Sequence, residues 1–261
     1  ENEPSWKRQT LFDIASGAGS FGRYTGLVKV NTGGEHFQSV TKAYLNTSRN
    51  DFPFLNNEAS PEPLRERRVN NRMLQRSFMQ EVYFGKPENM FSARLWYQNT
   101  ARDLPGSTLY GYSGEKQSDE SFRSLLNYCF RKSRQEYFTT LAWLSSKLNY
   151  ESDLYSIDSR NKANSIVFKG GITTPVGQFT RFKIVLSDEL NIVESNNYID
   201  GIRHNNASVT LSAERKKGRR LGAVILLRET LNDNSLMIPD FSAGLELRLI
   251  RGEEHYLKWN I

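Results

Sequence analysis

The chain has 261 residues, with 35 Lys and Arg against 29 Asp and Glu, a net charge of +6, 12% aromatic residues and a single cysteine. That apolar and aromatic content excludes a disordered chain, no Pro-, Ser- or Gly-rich linker divides it, and no run of about 18 apolar residues makes a membrane helix. Cys129 alone excludes an intrachain disulfide and a cysteine-based zinc site. The basic residues are scattered and their densest run, Lys216, Lys217, Arg219 and Arg220, surrounds Gly218 like a turn, which argues against nucleic acid as a partner.

Taken in chain order, alternation of period two predicts strands near 10–16, 24–32, 37–48, 75–84, 91–98, 121–130, 137–150, 165–173, 179–190, 207–214, 221–229 and 241–249, with a further start at His255. The pattern is cleanest where Phe91, Ala93, Leu95 and Tyr97 oppose Ser92, Arg94, Trp96 and Gln98, and where Phe241, Ala243, Leu245, Leu247 and Leu249 oppose Ser242, Gly244, Glu246 and Arg248. This predicts an all-β chain of about thirteen strands without a helix, in segments of about ten residues, the length of a tilted strand crossing a bilayer. All eight prolines fall between these segments, as they must if the segments are central strands of a ladder.

The connections alternate. Short ones are predicted at 33–36, 86–89, 132–134, 174–178, 215–219 and 252–254; longer, polar ones fall at 49–74, 100–120, 151–164, 191–206 and 230–240, with only the first, near 17–23, short on that side. Such alternation sends one kind of hairpin tip to each end of the sheet, as in a transmembrane β-barrel with short periplasmic turns and long outer loops. Aromatics at strand ends (Tyr24, Tyr83, Phe84, Tyr97, Phe130, Tyr137, Phe138, Tyr150, Phe179 and Phe241) fit girdles at two membrane interfaces.

The stretch SFGRYTGLVKVNTGGEHFQSVTKAYLNTSRNDFPFLNN and, more loosely, RLWYQNTARDLPG at 94–106 and the later hairpins resemble a TonB-dependent receptor of the Bacteroidetes-type, vitamin B12 receptor-like group. The resemblance implies a bacterial outer-membrane transporter, not an enzyme, in which a plug fills a barrel of about twenty-two strands. At about twenty residues per strand such a barrel needs about 440 residues, so residues 1–261 are expected to form the N-terminal portion of the barrel, with plug and C-terminal strands absent. Glu1 would follow the plug and Ile261 would fall within a strand. The implied partners are a large scarce nutrient, first a cobalamin-like corrinoid and second a ferric siderophore or haem; the TonB complex, reached through missing segments; the remainder of the barrel and plug; and the lipid membrane. The resemblance also admits a surface lipoprotein.

For ligand contact, the resemblance and the chemistry of long loops point to Asp51, Phe52, Phe54 and Asn56, with Leu109, Tyr110 and Tyr112 in the next loop. Aromatic rings cover a planar ligand while amides and a carboxylate orient its polar rim. Packing of Phe52-Pro53-Phe54 against neighbouring loops is the alternative role. Arg94, Trp96, Gln98, Arg123, Asn127, Arg181, Lys183, Glu246 and Arg248 are expected to face the lumen and plug. His36, His204 and His255 lie in separate connections, and Glu151, Asp153, Asp158 and Asp233 lack calcium-loop spacing, so no metal, cofactor or catalytic set is expected. The rivals are a soluble all-β binding or adhesion module, with its apolar face closed inside a sandwich, and a passive porin or barrel enzyme.

Overall fold

A computed structural model describes residues 6–58, 61–108, 114–217, 221–233, 235–248 and 256–260; for 216, 217, 221, 246–248 and 256–260 it describes the backbone alone. One antiparallel sheet contains β1 (Gln9–Gly19), β2 (Arg23–Gly33), β3 (Phe37–Ser48), β6 (Met73–Lys86), β7 (Asn89–Leu104), β8 (Glu115–Lys132), β9 (Gln135–Ser152), β10 (Ile157–Val176), β11 (Thr180–Ser195), β12 (Ile202–Lys217), β13 (Leu221–Asn232), β15 (Asp240–Arg248) and β16 (Tyr256–Asn260), with the two-residue β14 (Ser235–Leu236) beside β13. A separate hairpin, β4 (Pro53–Asn56) and β5 (Leu64–Arg67), lies between β3 and β6. The order is a meander in which each strand of the main path pairs with the next along the chain. Among the described residues β1 and β16 have one strand neighbour each.

The strands run further than the hydrophobic alternation reaches. β10 is 20 residues long, and the segment predicted as a long loop at 151–164 is mostly strand, with the turn confined to 153–156. Likewise β7 continues to Leu104, β8 begins at Glu115 and β12 begins at Ile202, so His204 stands in a strand rather than a connection. These extensions carry polar side chains on both faces, and alternation is silent where both faces meet water. β4, β5 and β14 were also expected as loop, and strands of two to four residues are too short to alternate visibly.

The predicted sidedness of the connections is present. β6 and β7, and β8 and β9, are joined by tight turns at 87–88 and 133–134, whereas 49–72 and 105–114 join strands at the opposite end. Gly85 at the first of these turns has φ +109, and a Cβ there would sit 2.0 Å from the Asn89 carbonyl oxygen.

The two faces differ in chemistry. Tyr83 on β6 and Val224 on β13 line one cavity, so that face is concave. The other, convex face carries Phe91, Leu95 and Tyr97 on β7, Leu126 and Tyr128 on β8, Leu141 and Trp143 on β9, Ile166 and Phe168 on β10, and Phe182, Ile184 and Leu186 on β11, all exposed. Toward the short turns Phe37, Phe84, Phe91 and Tyr128 are successive cross-strand partners, with Phe37 and Phe84 rings 5.0 Å apart. Toward the long connections Phe78, Tyr97 and Phe122 are partners in turn, and Phe122 meets Trp143 at 5.2 Å. Beyond this second belt the convex face turns polar along Arg76, Asn99, Glu120, Lys147, Lys162 and Glu194, with Lys147 3.1 Å from Glu120 and Lys162 3.4 Å from Glu194. Asp188 and Glu229 interrupt the apolar face toward the same end. Tyr83 and Phe138, expected in a girdle, instead line the concave cavity, because their positions have the opposite parity.

Gly85→Ala should destabilise the folded sheet by about 1–3 kcal/mol through its positive φ and the close Asn89 carbonyl. Gly34→Ala, where a Cβ meets open space, should be near neutral. Urea titration of the two variants in lipid vesicles measures the difference.

Candidate ligand passage and loop site

The concave face is built by the polar residues of the alternating strands. Arg94 donates to the Tyr83 hydroxyl at 3.2 Å, lies 5.8 Å from that ring, and places Nε 3.8 Å from Glu81 Oε1. At 3.8 Å the ion pair is close but the Nε proton is left without a hydrogen bond. Arg123 stacks on Trp96 at 4.6 Å, and Trp96 Nε1 donates to Ser77 Oγ at 3.1 Å. Asn127 donates to Ser92 at 3.4 Å and accepts from Thr140 at 2.8 Å. Gln98 shares this face, opposite Ser77 and Ser121.

Arg181 and Lys183 line the same cavity of about 790 Å³, with Lys183 Nζ 5.1 Å from the Phe138 ring. Thus Arg94, Trp96, Gln98, Arg123 and Asn127 fall together on one concave wall. Glu246 stands opposite Gly222 and Arg248 opposite Tyr256, but their side chains lie outside the described residues.

Sequence alternation did not single out Glu81, Tyr83, Phe138 or the Cys129–Glu136–Arg131 group on this wall. Cys129 Sγ donates to Glu136 Oε1 at 3.7 Å and Arg131 Nε lies 3.6 Å from Glu136 Oε2. Cross-strand register would have joined them, since Cys129 is opposite Phe138 and Arg131 opposite Glu136. Gly171 explains the local shape: a Cβ there would lie 2.5 Å from the Ile184 carbonyl oxygen and 2.8 Å from the Phe138 ring, so the glycine lets that ring lie against the wall.

At the long-connection end the first two long loops dock on one another. Asn50 and Asn71 each donate to the other's carbonyl, at 2.9 and 3.1 Å, and close the root of the β3–β6 connection. Asn70 spans the root of the next by donating to the carbonyls of Leu104 and Glu115. Arg68 donates to Gly106 O at 2.8 Å and lies over Phe54 at 5.8 Å.

Asn56 is 5% exposed; it donates to Thr108 O at 3.1 Å and accepts from Glu58 N at 3.1 Å. Asp51 faces Arg67 at 3.5 Å, and Phe52 meets Phe21 edge-on at 6.0 Å while remaining 38% exposed. Leu55 and Leu64, at 58% and 56%, add exposed apolar surface that sequence reasoning passed over because β4 and β5 were not recognised as strands. Leu109, Tyr110 and Tyr112 lie outside the described residues.

At the same end His204 Nδ1 sits 2.6 Å from Asp233 Oδ2, and Asp233 Oδ1 accepts from Asn205 N at 2.7 Å. The Asn205 amide, helped by His204, holds the Asp233 carboxyl below the usual carboxylate range. No group of three or more His, Cys, Asp or Glu suited to a metal occurs among the described residues. No described helix is long and apolar enough to cross a membrane, which says nothing of crossing by strands.

No protein-family model and no curated protein matches the chain. Solved structures do. A chain of the FpvAI–pyocin S2 complex superposes on 95% of this chain with a TM-score of 0.66 at 9% identity. The siderophore receptor PiuA from Acinetobacter baumannii superposes on 97% with a TM-score of 0.61 at 9% identity. The chain spans 40% of the first and 45% of the second. At this identity the likeness concerns the fold alone, an all-β antiparallel meander.

Asn56→Ala removes three hydrogen bonds from the loop interior, to Glu66, Thr108 and Glu58, and should weaken loop docking by about 1–2 kcal/mol, read as about tenfold faster proteolysis within 49–72 with the main sheet intact. Asp233 has a depressed folded pKa, so its contribution is present above the ordinary carboxylate range and lost as pH falls through the lower, folded value. Hydrogen exchange at 230–237, corrected for its intrinsic pH dependence, should therefore stay slow above the ordinary carboxylate range and accelerate progressively as pH falls through it toward the lower, folded value.

Proposed function

We propose that residues 1–261 are the N-terminal portion of the barrel domain of a TonB-dependent receptor in a bacterial outer membrane, and that the whole protein imports a ferric siderophore. The reading is carried by the concave wall, where Arg94, Arg123, Arg181 and Lys183 outnumber Glu81, Glu136 and Glu214. A cationic passage concentrates an anionic chelate. The likeness to PiuA supports this ligand class above cobalamin, for which the chain offers only exposed rings at the loop end.

In this reading the plug, the remaining strands and the TonB-contacting segment belong to the rest of the protein, and energy enters through them. The ligand first meets the docked loops, where Phe52, Phe54, Tyr110 and Tyr112 supply aromatic surface and Asp51 and Asn56 hold the hairpin that carries it. Phe52 and the exposed Leu55 form its open face. A surface lipoprotein would cover the same end. Haem and cobalamin are the second ligands by the same loop chemistry.

Calorimetry on the detergent-solubilised full-length protein tests the ligand with a ferric catecholate, a ferric hydroxamate, haem and cyanocobalamin. Tight binding of an iron chelate, weakened about tenfold or more when Phe52 and Phe54 are both replaced by Ala, is expected. Binding of cyanocobalamin alone would overturn the siderophore, and an unchanged affinity in the double variant would remove the loop assignment.

A further inference from the structure

Several cations of the concave wall are already matched. Arg94 lies 3.8 Å from Glu81, Arg102 2.7 Å from Asp119 and Arg131 3.6 Å from Glu136, while Arg181 stands opposite Glu214 in the ladder. Arg123 differs from these. It is exposed on β8, and its guanidinium makes neither an ion pair nor a hydrogen bond among the described residues. On its own face of β8 the nearest carboxylate is Asp119, four residues or about 13 Å along the strand and engaged by Arg102 and Gln117. Neighbouring β7 carries no carboxylate on this face, and β9 carries only Glu136, opposite Arg131 at the short-turn end.

The support of this guanidinium is fixed. Trp96 stands cross-strand from Arg123, its Nε1 donates to Ser77 Oγ at 3.1 Å, and the guanidinium carbon lies 4.6 Å from the indole centroid. A guanidinium stacked on one side keeps its second face and its fork of N–H donors free. On the other flank β9 places Leu144 opposite Arg123, 38% exposed like Trp96, with the equally exposed Leu148 further toward the long connections. Trp96 and Arg123 adjoin Tyr97 and Phe122 of the second belt, so the group stands between the long connections and the cavity that Arg94 lines.

Those features select among iron chelates. The free fork binds anionic oxygens, and the open face of a planar cation bordered by indole and leucine takes an aromatic ring. A ferric tris-catecholate offers both, with three aromatic rings and three net negative charges. A ferric tris-hydroxamate is neutral at its metal centre and has no ring there.

We propose that Arg123, stacked on Trp96, is the contact by which the passage selects an anionic aromatic chelate, a ferric catecholate, over a neutral hydroxamate. The inference rests on the siderophore reading above and narrows its substrate class.

Calorimetry on the full-length protein in neutral detergent, with a ferric tris-catecholate and a neutral ferric tris-hydroxamate as titrants, tests it. Wild type should bind the catecholate about tenfold or more tightly than the hydroxamate. Arg123→Gln should weaken the catecholate about tenfold and leave the hydroxamate within about twofold. Arg123→Lys keeps the charge without the planar fork and should also lose most of the preference. Both variants, at an exposed position, should keep the wild-type Tm.

Equal binding of the two chelates by wild type, or a catecholate affinity unchanged in both variants, would overturn the selection and leave the siderophore reading standing. So would a lowered Tm in Arg123→Gln with unchanged chelate affinity, which assigns the guanidinium to packing against the plug. Binding of neither iron chelate would overturn the siderophore reading itself and this selection with it.

Discussion

Among the described residues the sheet has no apolar partner, and the rest of the structure follows from that. Among the described residues only Val40, Tyr83 and Val185 are buried hydrophobics, while Phe, Leu, Ile and Trp side chains stand exposed along the convex face. Each large apolar side chain left in water forfeits about 1.5–3 kcal/mol of burial, so so many of them on one face of one layer need a second apolar phase. A sandwich would supply it from a second sheet, but the only other sheet among the described residues is the hairpin β4–β5, which carries Arg65, Glu66 and Arg67. In the membrane reading proposed above lipid supplies it instead, and the concave face, relieved of any packing role, is free to be polar. The chemistry of the passage is thus a consequence of where the apolar residues went.

The same division explains what the sequence made legible. Within the membrane-height part of each strand one face must be apolar and the other is not, so Phe91 to Tyr97 announces both a strand and its orientation. The concave residues Arg94, Trp96, Gln98, Arg123 and Asn127 were readable for the same reason, since parity alone assigns the face. Beyond the apolar belt both faces are wet and the signal vanishes, which is why Ile157–Asn164 read as loop though it is ladder. Cross-strand pairs such as Arg131 with Glu136 and Arg123 with Trp96 depend on register, which single-strand patterns do not contain. The hairpin β4–β5 escaped because its order comes from side chains far along the chain, Asn56 to Thr108 and Arg68 to Gly106, not from its own alternation.

The asparagines at the loop roots show how long connections become ordered without a core. Asn50 and Asn70 have φ of 51° and 52°, a region that asparagine tolerates better than most residues. There, Asn50 exchanges hydrogen bonds with Asn71 and Asn70 reaches two carbonyls of the next connection. Short polar side chains that bond to backbone do in these loops what apolar packing does elsewhere. The rings of Phe52 and Phe54 are consequently supported from below, by Phe21 and Arg68, with Phe52 still partly exposed. Support and ligand contact are therefore compatible roles for these residues, because an aromatic held by its edge keeps a face to offer.

Rigidity is distributed unevenly along the strands, and the asymmetry suits the proposed passage, which would select at one end and hold shape at the other. At the short-turn end two-residue connections and the Phe37–Phe84 contact fix neighbouring strands directly. At the other end the strands outrun the apolar belt and are held by exposed pairs such as Arg102 with Asp119 and Lys162 with Glu194, each worth about 0.2–1 kcal/mol. Contacts that small let connections rearrange around a guest at low cost, yet the ladder beneath them continues unbroken into the belt. A guest can then be admitted by the loops without disturbing the register that aligns Arg94, Arg123 and Lys183 below, since register is set where the apolar face leaves a strand no freedom to slip.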